Sequence, residues 1–444
     1  MRDGVRTRLA AAIFLTGAAA LALFVYRRAT DGLEARGVRT GFGFLWQEAG
    51  LAIGQVIPLP VLIGPSAAFA IGALLLTAAS LLLPVLTPSL WKGGAVNAMR
   101  WAGAAGFVVL AILLASGTAT LSFMDYGPHR PLAAALATGF ANTLAVSAAG
   151  IVLASLLGLV VGIGRLSGNW LVRRSAGLYV ETIRNVPLLI QVFFWYFGVL
   201  RALPPVRASI DVFGLAALNN RGIFLPRPEA GPGFWALSLA VVASVLLWVG
   251  LSRRAKRIQA RLGRRPAVAP IVLPGFIALA GVAILVEGSP IVWSVPARAG
   301  FNFQGGFSIT PEFAALLLGL TTYTAAFIAE IVRAGIEGVG RGQADAGRAL
   351  GLSDGLILRL VLLPQALRVM VPPLVSQFLS LIKDSSLGFA IAFPELVSIT
   401  STAINQTGQP IELLAVTIGV FMVLNLTISA IIRAYEAARP WVPT

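Results

Sequence analysis

The chain has 444 residues, of which 57% are hydrophobic and 12% charged; an ordinary soluble domain has roughly twice that charged share. It has no cysteine and one histidine, His129 between two prolines, which excludes disulfides and thiolate or His-rich metal sites. The net charge of +16 comes without a basic platform interleaved with aromatics. It therefore reads as loop charge orienting a membrane protein, with no nucleic acid as partner.

Apolar residues gather into segments of about 20, the length a helix needs to cross hydrocarbon. The alternating strands of a membrane barrel are not seen. The first segment, 9–26, follows Arg2, Arg6 and Arg8 and is followed by Arg27 and Arg28. It is long for a signal peptide and lacks a small-residue cleavage site, so it reads as an uncleaved span. Further spans are expected at 67–86, 101–123, 139–164, 178–200, 234–251, 267–286, 313–335, 371–392 and 411–432. The expected fold is an all-α integral membrane protein of about ten transmembrane helices. Threaded from a cytoplasmic N-terminus, most of the 34 lysines and arginines fall on the cytoplasmic side. That bias places both termini inside.

The connections at 27–66, 201–233 and 287–312 then lie outside, and their Gly and Pro content predicts mostly irregular structure. The last ends in Thr310-Pro311-Glu312, a helix start with a hydroxyl cap, proline in the first turn and a favourable carboxylate. The connection at 336–370 is cytoplasmic and helical in pattern. Ala344, Ala346, Ala349 and Leu350 favour a short helix that Gly351 can end in the left-handed conformation. Ser353 can cap a second helix, on which Leu356, Ile357, Leu360, Val361 and Leu363 form an apolar stripe. Pro364 marks a bend or break. A short helix presented in this way suits a groove on a soluble partner.

Asp345-Ala346-Gly347, Gly351 and Val361-Leu362-Leu363-Pro364 resemble the cytoplasmic signature of bacterial ATP-binding-cassette importer permeases. That signature is Glu-Ala-Ala, three residues, Gly, nine residues, then Ile-x-Leu-Pro. The spacing is kept; Asp345, Gly347 and Val361 are departures. Asn142-Thr143-Leu144, Gly162 to Ser167, and Tyr179 to Leu189 with Gln191, Phe193, Phe194 and Tyr196 look like the polar-amino-acid (histidine/glutamate) permease family. Thr40 to Leu45 and Asn219-Asn220-Arg221-Gly222 further resemble its general L-amino-acid branch. The resemblance implies a type I (MetI-like) permease core at 139–440. A two-span hairpin is inserted at 204–310 and the coupling loop lies at 336–370. Residues 1–138 hold N-terminal spans, a long outer loop and an extra hairpin at 60–125.

The resemblance also implies partners: cytoplasmic ATPase subunits that bind the ATP, a second homologous permease and a periplasmic amino-acid-binding protein. It implies a bacterial inner-membrane location, with lipid around the spans. ATPase coupling is assigned to Asp345, Ala346, Gly347, Gly351, Leu363 and Pro364. No cofactor or metal is expected in this chain.

Two clusters are candidates for a substrate path. Glu181 and Arg184 are three apart on one helix face, suited to an ion pair at a helix end. The adjoining Arg184-Asn185-Val186-Pro187 would line the path, with carbonyls freed by Pro187 facing a cavity. Lys383-Asp384-Ser385-Ser386 interrupts an apolar segment and is followed by Gly388. That favours a broken helix at a cavity, where opposite charges could meet a zwitterion. Gly158 and Gly162 form a GxxxG pair suited to close helix packing.

Other functions fit less well. A secondary transporter or channel would not need the docking loop, and no inverted repeat is visible. A membrane enzyme would have few candidate catalytic groups. Lys92, Lys256 and Lys383 follow Trp, Ala and Ile, so no phosphate loop exists and the ATPase must be a separate chain.

Overall fold

The computed structural model describes residues 41–54, 56, 59–63, 120–124 and 126–438 without 264–266 and 301, with isolated positions between 17 and 32. The expected spans at 67–86 and most of those at 9–26 and 101–123 lie outside the described residues. The helices are α1 (Leu132–Arg165), α2 (Trp170–Asn185), α3 (Leu188–Phe193), α4 (Phe234–Leu262), α5 (Ala269–Glu287) and α6 (Pro311–Glu337). They continue as α7 (Arg341–Ala349), α8 (Asp354–Ile357), α9 (Leu363–Asp384), α10 (Leu396–Thr407) and α11 (Pro410–Ala438).

Among the described residues, six helices are long and apolar enough to cross a membrane. A seventh span is counted if the bent pair Trp170–Asn185 and Leu188–Leu200 is one. That pair covers the expected span at 178–200: the helix starts earlier, at Trp170, capped by the Asn169 side chain, and the pair bends by 104° at the break before Leu188. The chain also does not break at Pro364. A π-helical stretch, Leu358–Leu362, carries α8 into α9, and the Leu363 N–H bonds back to the Leu358 carbonyl. This longer step absorbs the donor that proline lacks, so the span runs from Gly355 to Ile391.

The chain forms two compact units, Met1–Val192 with Leu316–Thr444, and Phe193–Ala315. In the first, small residues on α1 let α6 and α9 approach. A methyl on Gly158 would lie 2.6 Å from the Ile328 Cβ, and one on Gly162 would lie 2.8 Å from the Val332 Cβ. The GxxxG pair therefore packs within the chain. The carboxylate of Glu330 on α6 pairs with Arg165 at the end of α1. A Cβ on Gly335 would overlap the Met370 side chain of α9.

At the other end of α1, residues 41–51 fold onto α1, α10 and α11. Phe44, Ala49 and Leu51 pack with Leu132, Leu136, Leu396 and Leu413. The Gly41 N–H donates to Glu412 of α11 at 3.0 Å. Exposed His129 faces Glu48 at 3.8 Å, as expected of a surface histidine. Strand β1 (Leu59–Ile63) pairs antiparallel with β2 (Thr120–Met124), so the C-terminal end of the expected 101–123 span is strand.

In the second unit, the connections expected to be irregular are β-structured. The strands are β3 (Ile210–Val212), β4 (Ala216–Asn219), β5 (Gly222–Leu225), β6 (Arg227–Ala230), β7 (Ile291–Ser294), β8 (Ala297–Ala299), β9 (Asn302–Gln304) and β10 (Phe307–Ile309). They form a four-stranded sheet in the order β10-β5-β4-β3 and the ribbons β6-β7 and β8-β9. Pairing of β5 with β10 and of β6 with β7 joins the two connections across the α4–α5 hairpin. Asn219 is buried at the tight turn, where its Oδ1 accepts from the Arg221 N–H. Gly222, at φ +135°, leaves no room for a Cβ against the Ile309 carbonyl.

Candidate functional site

The helix–turn–helix at 341–362 has the expected form. The Gly351 N–H donates to the Arg348 carbonyl and the Leu352 N–H to the Gly347 carbonyl, the paired bonds of a Schellman end. Gly351 sits at φ +77°, a region that β-branched residues avoid. Asp345, Ala346 and Gly347 of the signature now have surroundings. Asp345 is exposed and pairs with Arg348 at 2.9 Å. Ala346 accepts from the Leu350 N–H at 3.1 Å. A Cβ on Gly347 would lie 2.9 Å from Ile357, which is buried, so glycine there seats α7 on α8. Leu350 is 81% exposed, and Leu356, Leu360 and Leu363 are also exposed. Gln365 reaches Gln343 at 3.4 Å, tying the loop to α9.

At Pro187 the structure corrects one expectation. Proline removes the donor that would have met the Ile183 carbonyl. The buried Gln191 side chain instead donates to the carbonyls of Ile183 and Val186, each at 2.9 Å. These carbonyls are hydrogen-bonded within the helix pair. Asn185 likewise turns inward along its helix, donating to the Glu181 carbonyl at 2.7 Å.

Arg184 does not pair with Glu181, as the i,i+3 spacing predicted. Its guanidinium lies over the Phe327 ring of α6, 5.0 Å from the centroid, a cation–π placement. Tyr323 is one turn away and touches Phe327, with ring centroids 4.9 Å apart. Tyr323 lies within electrostatic reach of both Arg184 and Asp384. Both candidate clusters therefore act electrostatically on one residue of α6. Tyr179 anchors α2 there, its hydroxyl donating to the Thr322 carbonyl at 2.7 Å. Arg184 is exposed, and Tyr323, Phe327 and Asp384 are half-buried.

The Lys383–Ser386 cluster ends α9, as expected of a broken helix. The backbone tightens to a 3-10 helix over Ser385–Ile391 and reaches left-handed Ala392 at φ +58°. Ser385 is fully buried and donates to the Ile382 carbonyl at 2.7 Å. Lys383 and Ser386 line an open cavity of about 590 Å³ with Thr417, Asn425 and Ser429 of α11. No ion pair joins Lys383 to Asp384. The adjoining loop is clasped by α1: Asn142 donates to the Pro394 carbonyl and the Leu396 N–H donates to Thr143.

Glu395 caps α10, accepting from the Val397 and Ser398 amides at 2.8 and 2.7 Å. It is fully buried, and desolvation pushes its pKa up to about 7 against the pull of those amides.

Tyr323, Phe327, Glu330 and Gln191 were not singled out from sequence as site residues. The signal for Glu330 was present: a carboxylate inside an apolar segment. Its two oxygens accept from Arg165 and Arg333, and Arg333 also reaches Glu337.

The spans define a polytopic membrane protein. Residues 150–439 match the family of binding-protein-dependent transport system inner membrane components, and the chain belongs to that family. YhdX of Escherichia coli (strain K12), named as an amino-acid ABC transporter permease protein, is 48% identical over 70% of this chain and 80% of its own. The general L-amino acid transport system permease protein AapQ of Rhizobium johnstonii is 40% identical over 71% of this chain and 79% of its own. A solved structure, of an amino acid ABC transporter with histidines, covers 69% of this chain and 94% of its own. Its TM-score is 0.42 at 19% identity.

Proposed function

We propose that this chain is the membrane-spanning permease subunit of an ATP-binding-cassette importer for amino acids. A periplasmic binding protein delivers the substrate, and separate ATPase subunits drive the cycle through α7. A second, similar permease completes the pore in the bacterial inner membrane. About ten spans with both ends cytoplasmic complete the reading. The observation that carries it is the α7 element: a short helix, closed by a left-handed glycine and followed by exposed leucines. It stands in a family member whose relatives are named for amino-acid transport.

Within that reading, Arg184 meets the substrate carboxylate and Asp384 its ammonium group, with Tyr323 and Phe327 as the wall between them. Bidentate geometry suits the guanidinium to a carboxylate. Lys383 is less suited, because it lines the α11 cavity apart from Tyr323; with Ser385 and Ser386 it shapes the helix break.

The test is Gly351→Val in the whole complex. A β-branched residue at positive φ distorts the end of α7. Membrane insertion should be normal, while uptake and stimulation of the ATPase by loaded binding protein are lost. Full transport would remove α7 as the coupling element. Arg184→Ala should abolish uptake more completely than Lys383→Ala; the reverse order would move the carboxylate contact to Lys383.

A further inference from the structure

Arg184 lies on a ladder of α6 side chains. Tyr323, Phe327 and Glu330 are spaced i, i+4 and i+7, which stacks them along one face of the helix. The guanidinium sits over the middle rung at 5.0 Å. On one side are Tyr323 and the electrostatic field of Asp384. On the other is Glu330, with which Arg184 also interacts electrostatically. A ring face holds a guanidinium without directing its N–H donors, so Arg184 is held between two anionic directions.

Glu330 is fixed in place. Arg165 Nη1 and Arg333 Nε reach its Oε2, and Arg333 Nη2 reaches its Oε1. A carboxylate offers about four acceptor sites, so three donors leave one on Oε1 for a further N–H. Glu337 also pairs with Arg333, so the four groups sum to no net charge and an added guanidinium meets no excess cation.

We propose that Glu330 is a release residue: it takes Arg184 from the transported amino acid's carboxylate when the path opens toward α7. This rests on the reading of Arg184 as the carboxylate contact. Glu330 and the substrate then compete for one guanidinium. The Phe327 ring is the resting place between the two partners. Arg333, which reaches both Glu330 oxygens, holds Glu330 facing the path and acts as the positioning residue.

The experiment uses the reconstituted complex in vesicles. The probe is whichever member of a panel of radiolabelled L-amino acids the wild type carries fastest. Binding to the nucleotide-free complex and ATP-driven uptake are both measured. Glu330→Gln removes the competitor's charge, so the probe should bind about threefold or more tighter, while maximal uptake falls about tenfold. Glu330→Asp, which keeps the charge, should restore uptake partly. Arg165→Gln breaks the α1–α6 pair but leaves the competitor, so its uptake should fall less than about threefold. Equal losses in Glu330→Gln and Arg165→Gln with unchanged binding would show a strut between helices and overturn the proposal. So would wild-type uptake in Glu330→Gln. Arg184→Ala separates the two levels: if it still binds the probe at wild-type affinity, the carboxylate assignment fails first and the release role with it. If Arg184→Ala loses binding while Glu330→Gln is silent, the assignment stands and the release role alone falls.

Discussion

Replacing Gly158 by Ala tests whether α1 and α6 move as one body. The added methyl would stand 2.6 Å from the Ile328 Cβ and 2.9 Å from the Ala325 carbonyl oxygen. Carbon atoms rest about 3.5–4.0 Å apart, so the helices must part by about 1 Å. Overpacking of this kind costs about 1–3 kcal/mol, offset by up to about 1 kcal/mol of helix propensity. A net loss of about 1–2 kcal/mol is expected. Separation at this level also loosens the Arg165–Glu330 pair, two turns further along α1. The assay is the unfolding midpoint of the purified complex at fixed scan rate, which respects irreversibility, together with ATP-driven uptake. Gly177→Ala is the control, since nothing lies within 4 Å of its added methyl. A midpoint that rises in Gly158→Ala as in Gly177→Ala would refute the close packing of α1 on α6.

Gln191→Leu should leave the Val186 carbonyl without its side-chain donor, and the Ile183 carbonyl with only the 3.4 Å bond from the Val186 N–H, and lower stability by about 1–3 kcal/mol, read by the same midpoint; an unchanged midpoint would mean other donors serve them. Gly222→Ala should disrupt the β5–β10 pairing, because its Cβ would lie 2.2 Å from the Ile309 oxygen. Increased proteolysis between 201 and 233 would report it, and wild-type resistance would count against the sheet. For Glu395, the folded pKa of about 7 lies above its usual value, so between roughly pH 4.5 and 7 the folded state holds a proton that the unfolded state has lost. Its contribution to stability therefore falls as pH rises through that window, by on the order of 3 kcal/mol at most. Glu395→Gln should flatten that part of the pH–stability curve; an unaltered slope would assign the dependence to another group.

The long apolar segments from 139 onward were readable because bilayer length and hydropathy leave little choice of structure. So was the end of α7, where a helical alanine run meets Gly351, and the capped start of α6 at Thr310, whose hydroxyl accepts from the Phe313 N–H. What escaped depended on distant partners. The strands β5 and β10 are short and lie on either side of two membrane helices, so neither loop shows its pairing alone. Helical spacing put Glu181 beside Arg184, but the Phe327 ring, brought by another helix, is the partner observed. At Pro187 the freed carbonyl was legible, and the side chain that fills it was not. At Pro364 a π-helical step, which sequence pattern does not show, keeps the span continuous. The two candidate clusters were visible separately; only the fold brings Tyr323 within reach of both.

The central claim is that this chain imports amino acids only when driven by ATP hydrolysis on other subunits. The direct measurement is uptake of labelled L-amino acids by vesicles carrying the chain with its partner permease and ATPase subunits. Loaded binding protein is supplied outside and ATP within. The account predicts accumulation above the external concentration that stops when ATP is omitted. Equilibrating uptake by this chain alone, indifferent to ATP and to binding protein, would contradict it.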